Sequence, residues 1–222
     1  MPETDHVDAP DGSRDPAARP VTPGQAWREL AAGNARFMAG DHEHPHQGIH
    51  DRAALAAGQT PFAIFFGCAD SRVAAEIIFD QGLGDLFVVR TAGHVMDPSV
   101  LGSLEFGVDV LGAPLVVVLG HDSCGAVRAA IEASDTGEMP PGFLRDIVER
   151  VTPGVIAARR AGLESVKEIE RQHVRATCHL MTERSASIAA AVREGRLAVV
   201  GAEYDLAEGE ARLVEVVGSI EG

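Results

Sequence analysis

The chain of 222 residues has little of what several classes of protein require. It contains only three cysteines, too few and odd in number for a disulfide framework, which predicts a reducing compartment. The chain has 19 lysines and arginines but 33 acidic residues, and its net charge of −14 argues against nucleic-acid binding. No apolar run approaches the ~20 residues of a membrane span, and the polar start has the features of neither a secretory signal nor a transit peptide. We therefore expect a cytoplasmic protein that binds neither membranes nor nucleic acid.

The distribution of apolar residues predicts one domain preceded by a tail. Residues 1–20 have almost no large apolar side chain, so we expect them to be disordered and residues 21–222 to form the domain. Thr22 as N-cap, with Pro23 at the first helical position, predicts an N-terminal helix that ends at Gly40. This helix would form an arm at the start of the domain.

Continuous apolar runs rich in β-branched and aromatic residues occupy 61–66, 86–90 and 114–120. They do not alternate with polar residues, which is typical of strands buried on both faces of a parallel sheet. Helical segments separate them, and several more helices are expected after residue 140, with breaks near Pro153 and Gly162. The last two strands flank a hairpin-like turn. We predict an α/β fold with a mostly parallel central sheet flanked by helices and a C-terminal antiparallel edge strand.

Two short polar motifs follow buried strands directly. "GCADSR" brings Cys68, Asp70 and Arg72, and "GHDSCG" brings His121 and Cys124. Because ligands bind at the carboxyl ends of parallel strands, the two motifs should share one edge of the sheet. Two thiolates and an imidazole suit zinc, and three protein ligands leave a fourth position open, as in catalytic sites. We therefore expect one Zn²⁺ per chain.

Other interpretations of these residues remain open. Cys68 and Cys124 could be buried core residues or a redox pair, or one of them could be a nucleophile that His121 assists. We expect Cys178 to be a core residue. The histidine-rich stretch "DHEHPHQGIHD" could bind metal weakly, although a solvated surface loop is the plainer interpretation.

Asp70 lies two residues from a predicted ligand and two residues before Arg72. A two-pronged ion pair with the guanidinium would hold the carboxylate away from the metal and leave it able to accept a hydrogen bond. Released from Arg72, Asp70 could become the fourth zinc ligand and close the site. An exposed ion pair without function is the alternative.

"CADSRV" and "GHDSCG", together with "VVRTAGH", resemble the β-class carbonic anhydrases, specifically the plant-type branch and its actinobacterial members. The resemblance implies reversible hydration of CO₂ to bicarbonate and a proton. It implies that Cys68, His121 and Cys124 bind zinc and that Asp70 and Arg72 form the catalytic dyad. It also implies a homodimer or homotetramer, with CO₂ and bicarbonate as the small-molecule partners.

The resemblance further implies a substrate pocket. "GQTPFAIFFGC" matches the plant-type branch in which a glutamine, here Gln59, donates a hydrogen bond to bicarbonate, and Phe87 matches an apolar wall. Phe66 and Val73 are expected to complete the apolar lining around CO₂.

Four positions depart from the family pattern. Ala69 replaces a serine, Phe106 replaces a tyrosine and so lacks its hydroxyl, and Thr91 and His94 stand where asparagines are common. His94 could act as a proton shuttle or as buried packing. Two other functions remain compatible with the motifs: hydrolysis of carbonyl sulfide or carbon disulfide, and a non-enzymatic zinc or bicarbonate-binding regulator that Asp70 keeps closed.

Overall fold

A single five-stranded sheet organises the molecule, and its strand order is β2-β1-β3-β4-β5. The computed structural model describes residues 19–221. The strands are β1 Ala63–Cys68, β2 Leu86–Thr91, β3 Leu115–His121, β4 Ala198–Tyr204 and β5 Ala211–Val217. β1 to β4 run parallel to one another, and β5 pairs with β4 antiparallel at one edge. The predicted fold class is confirmed.

Eight α-helices connect or flank the strands in this part of the chain. They are α1 Pro23–Ala39, α2 Ile49–Ala54, α3 Ala75–Ile78, α4 Pro98–Glu105, α5 Gly125–Thr136, α6 Leu144–Arg160, α7 Val166–Arg184 and α8 Ala186–Arg193. α3 has only four residues, and α4 continues into a single π turn. None of the helices within residues 19–221 is both long and apolar enough to cross a bilayer.

The N-terminal helix has the ends that its sequence predicts. The Thr22 hydroxyl accepts a hydrogen bond from the Gln25 amide, and Oε1 of the Gln25 side chain accepts one from the Thr22 amide, so two backbone donors at the start of the helix are satisfied. Gly40 ends the helix in the left-handed region, with φ at 73°. The disorder expected for residues 1–20 falls mostly on residues 1–18, which lie outside the described residues. Arg19 is held in place, since its guanidinium donates to the carbonyl oxygen of Gly84 at 3.1 Å.

The predicted break near Pro153 is wrong, because α6 runs through that residue without interruption. A proline inside a helix removes one hydrogen bond and costs about 3 kcal/mol. Four buried positions of α6 offset this cost by packing over the sheet end and α5, namely Val148, Val151, Val155 and Ala158. The break near Gly162 is confirmed, since α6 ends at Arg160.

The sheet has an apolar cluster on each face. Phe65 and Val117 belong to the cluster under α1, whereas Phe66 and Val118 belong to the one under α7 and α8. This two-sided burial explains why the central strands read as continuous apolar runs. It leaves the carboxyl ends of β1 and β3 as the place where polar side chains can collect.

Candidate metal centre

Three side chains from two strand ends converge at the carboxyl edge of the sheet. Cys68 is the last residue of β1, His121 is the last residue of β3, and Cys124 follows in the turn to α5. Their ligand atoms lie within 4.8 Å of one another, and all three residues are buried. The parallel pairing of β1 with β3 causes the convergence, because it places both strand ends side by side.

The His121 ring is oriented for a metal. Its Nδ1 donates to the carbonyl oxygen of Asp122 at 2.8 Å, which leaves Nε2 as the atom with a free lone pair. Nε2 is buried and has no hydrogen-bond partner among the described residues. A buried nitrogen without a partner, facing two thiols, fits a zinc ligand.

Cys68 is held by the short turn after β2. The amide of Gly93 donates to its Sγ at 3.3 Å, and Gly93 has a φ of 64°, which a glycine adopts without strain. A Cβ on Gly93 would also lie 2.6 Å from that of Ala126. The hydrogen bond from the Cys124 thiol holds the pKa of Cys68 well below its usual value, which favours the thiolate at this sulfur. A thiolate is the form that binds metals.

Cys124 occupies the N-cap position of α5, and a residue that sequence reasoning missed holds it there. The amide of Cys124 donates to Oε1 of Glu170 on α7 at 2.8 Å, and Glu170 is buried. Burial raises the pKa of Glu170. The preceding Ser123 has a φ of 59°, a strained value that lets the turn aim both His121 and Cys124 inward.

Asp70 and Arg72 form the predicted two-pronged pair. Arg72 Nε donates to Oδ1 at 2.9 Å and Nη2 donates to Oδ2 at 2.7 Å, and the Arg72 amide adds a third bond to Oδ1 at 2.9 Å. The Arg72 guanidinium holds the pKa of Asp70 well below its usual range. Oδ2 also lies 4.0 Å from Nε2 of His121, so the dyad adjoins the predicted ligands.

Arg90 is a second residue that the sequence did not reveal. From β2 it donates to the carbonyl oxygens of Cys68 at 2.9 Å and Asp70 at 2.6 Å. It thereby fixes the backbone that carries both side chains. No local signal identified it, since an arginine at the end of an apolar run is common.

The four predicted pocket residues are not brought together within one chain. Phe66 and Val73 are both fully buried, in the clusters on opposite faces of the sheet. Phe87 pairs with Ile64 in the sheet, four positions before the level of Cys68, which is ~13 Å along the strand. Gln59 precedes β1 and therefore lies beyond the opposite end of that strand. Their roles remain predictions.

The other candidates have different surroundings. Cys178 is a buried core residue, as predicted. His46 pairs with Asp85 at 2.8 Å, and within residues 19–221 no group of three ligand residues other than the Cys68 cluster brings its atoms within 4.8 Å. His94 is buried, with its ring 4.3 Å from that of His173.

The fold and the cluster together define a class of protein. It is the α/β class in which two cysteines and one histidine at the carboxyl edge of a parallel sheet offer a donor set that suits zinc.

Comparison with known proteins identifies the family. The carbonic anhydrase family model matches residues 63–211. Carbonic anhydrase 2 of Mycobacterium tuberculosis is 57% identical over 200 residues, which are 90% of this chain and 97% of that relative. The carbonic anhydrase of Mycolicibacterium smegmatis is 57% identical over 205 residues, 92% of this chain and 98% of that relative.

Solved structures agree with this identification. A β-carbonic anhydrase of Aspergillus fumigatus superposes with a TM-score of 0.65 at 27% identity, covering 85% of this chain and 90% of its own. The β-carbonic anhydrase CcaA has the same fold, with a TM-score of 0.67 at 22% identity, covering 87% of this chain and 92% of its own. The chain belongs to the β-class carbonic anhydrases and is close to the actinobacterial members. It is a zinc-dependent enzyme that hydrates CO₂ reversibly to bicarbonate and a proton.

Proposed function

We propose that Cys68, His121 and Cys124 hold the zinc ion and that Asp70 and Arg72 are the catalytic dyad. The observation that supports this proposal most strongly is the convergence of the three ligand atoms, within 4.8 Å, beside an ion-paired carboxylate. Bound zinc supplies a Lewis acid that lowers the pKa of water toward neutrality.

The dyad positions the reacting water. Because Arg72 keeps Asp70 ionised, its carboxylate only accepts hydrogen bonds, and Oδ2 near His121 is the acceptor for a water proton. Accepting that hydrogen bond fixes the direction in which the lone pair of the water oxygen points, which is a positioning contribution to the attack on CO₂. Both oxygens are already bonded to Arg72, so Asp70 becomes a fourth metal ligand only when Arg72 releases it.

The pocket that receives CO₂ and bicarbonate is proposed to form between two copies of the chain. Gln59 and Phe87 lie toward the amino ends of their strands, so they can reach the dyad of a partner copy but not that of their own chain. Phe87 contacts Phe106 with ring centroids 6.0 Å apart, and Phe106 is 44% exposed on the outer side of the sheet edge. Such an exposed apolar pair supports a homodimer or a homotetramer.

The zinc and dyad assignments are tested by stopped-flow CO₂ hydration together with zinc analysis. Cys124→Ser should lose zinc and activity together, whereas Asp70→Asn should keep zinc and lose activity. Active, zinc-loaded Asp70→Asn enzyme would contradict the dyad. Release of sulfide from carbonyl sulfide, measured in parallel, tests the alternative substrate.

The shared pocket is tested by mixing two defective chains. A Gln59→Ala chain and an Asp70→Ala chain are coexpressed with different tags, and the mixed dimer is purified. If Gln59 acts in the partner copy, one of the two sites is intact and the mixed dimer should have about half of the wild-type activity. If Gln59 acts within its own chain, neither site is intact and no activity returns.

A cytoplasmic location is also proposed. It is supported by three free cysteines, all buried, in a chain that binds zinc through thiolates. Fractionation of cells that produce the protein tests it, and recovery outside the cytoplasm would contradict it.

A further inference from the structure

A cavity of about 260 Å³ lies next to the metal centre, between α6 and α7. None of the three predicted zinc ligands lines it. His94 and Met96, from the segment after β2, form its buried end, and Arg150 of α6 and Arg184 of α7 line it at exposed positions. Since a water molecule occupies about 30 Å³ of liquid volume, the cavity has room for a small organic molecule.

The buried end of this cavity has an unsatisfied polar side chain. His94 is 3% exposed, and within the described residues neither its Nδ1 nor its Nε2 has a hydrogen-bond partner. Burial lowers the pKa of His94 well below its usual value, so the neutral ring offers one donor and one acceptor. The ring of His173 lies against it at an angle of 30° but does not pair with it, because Nε2 of His173 donates to the carbonyl oxygen of Gly93 at 3.0 Å. Buried polar atoms are normally paired, so the cavity should supply the partner.

The exposed end carries charges of both signs, with Asp146, Asp97 and Glu149 acting on Arg150, and one of its arginines has no acidic partner among the described residues. Glu149 lines the cavity but is neutralised by Arg145 at 2.7 Å, and Arg150 is paired with Asp146 at 3.0 Å. Within residues 19–221, no acidic side chain pairs with Arg184. In a chain whose net charge is −14, a cavity that presents an arginine without an acidic partner favours an anion.

We propose that this cavity binds a small organic carboxylate that carries a hydroxyl group. The carboxylate lies between Arg150 and Arg184, and the hydroxyl reaches the ring of His94. The short carbon chain between the two groups contacts Met96 and Leu180, which line the same cavity. Arg184 can reach inward over Leu180, because long side chains of a helix lean toward its N-terminus.

The cavity adjoins the metal centre through one residue. The amide of Gly93 donates to Cys68 Sγ at 3.3 Å, and its carbonyl oxygen accepts from His173. A carboxylate can also bind at a zinc ion directly, so the test must report on the two places separately.

The holoenzyme labelled with ¹⁵N in its histidine rings provides that separation. In buffer freed of CO₂, 4-hydroxybutyrate is titrated and the ring signals of His94 and His121 are followed. His94→Asn assigns the first signal, since asparagine tolerates the φ of 41° at this position. We expect a saturable shift of the His94 signals, and weaker binding of butyrate, which has the same chain without the hydroxyl.

The variant Arg184→Ala should weaken the titration seen at His94 about tenfold. Arg193→Ala, which removes an equally exposed arginine from α8, is the matched control and should bind as the wild type does. Inhibition of CO₂ hydration by 4-hydroxybutyrate at the metal should be the same in all three proteins. If the His94 signals do not move, or move with equal affinity in Arg184→Ala, the cavity holds only water and the proposal is wrong.

Discussion

Replacing Glu170 by alanine should weaken zinc binding by between one and two orders of magnitude. Glu170 is buried, and its Oε1 accepts the amide hydrogen of Cys124 at 2.8 Å. A hydrogen bond to a charged group contributes about 1.5–3 kcal/mol, which corresponds to roughly 10- to 100-fold in an equilibrium constant. Without it, the amide at the start of α5 loses its buried partner, and the thiol that the turn carries is less well placed. Substitution of a residue that hydrogen-bonds to a metal ligand commonly changes metal affinity by this amount.

Two further variants separate position from charge. Glu170→Gln keeps an oxygen at the same place but removes the charge, so it should retain zinc affinity within a few-fold of the wild type. Glu183→Ala removes an exposed carboxylate from the same helix and should have no effect. Competition with a chromophoric chelator measures the zinc dissociation constants, and circular dichroism checks that the metal-free proteins are folded. A folded Glu170→Ala protein with wild-type zinc affinity would refute the reasoning.

Three other perturbations test the site and the fold. Arg72→Ala should lower kcat/KM about a hundredfold with zinc content unchanged, because Asp70 loses both hydrogen bonds from the guanidinium. A variant with wild-type activity would show that Arg72 is not part of the dyad. Asn34→Ala should lower the free energy of unfolding by about 3 kcal/mol in denaturant titrations, since it deletes two buried hydrogen bonds and one part-buried hydrogen bond worth roughly 1 kcal/mol each. A loss well below about 1 kcal/mol would contradict this. Burial raises the pKa of Asp80, but hydrogen bonds from Arg36 and two backbone amides outweigh it and lower that pKa. The folded pKa is therefore below the unfolded one, and the stability that Asp80 provides should be lost as pH falls below about 4, which unfolding of Asp80→Asn across pH can check.

The convergence of Cys68, His121 and Cys124 could be predicted because local signals and topology point to the same place. Cys68 and His121 each end an apolar run, and parallel strands put such ends at one edge. The ion pair of Asp70 with Arg72 could be predicted because the two residues are close in sequence, and their pairing needs no long-range contact.

The supporting residues could not be predicted in this way. Glu170 contacts Cys124 only because α7 packs beside the start of α5, and the exact rotation of α7 is decided by its whole buried face. Arg90 acts on backbone oxygens, which any residue could offer. The uninterrupted helix at Pro153 could not be predicted, because the local penalty of about 3 kcal/mol does not include the packing of four buried side chains of α6.

The same topology that gathers the metal ligands separates them from the predicted substrate residues. Every residue near the carboxyl end of β1 is far from every residue near its amino end, because six residues of strand span ~20 Å. Gln59 and Phe87 lie toward one end, whereas Cys68 and Asp70 lie at the other. A shift in strand register would not bring them together, since it moves a residue by only ~3 Å. The chain therefore has either a substrate pocket without these two residues or one that a second copy completes, and the mixed-dimer experiment distinguishes the two.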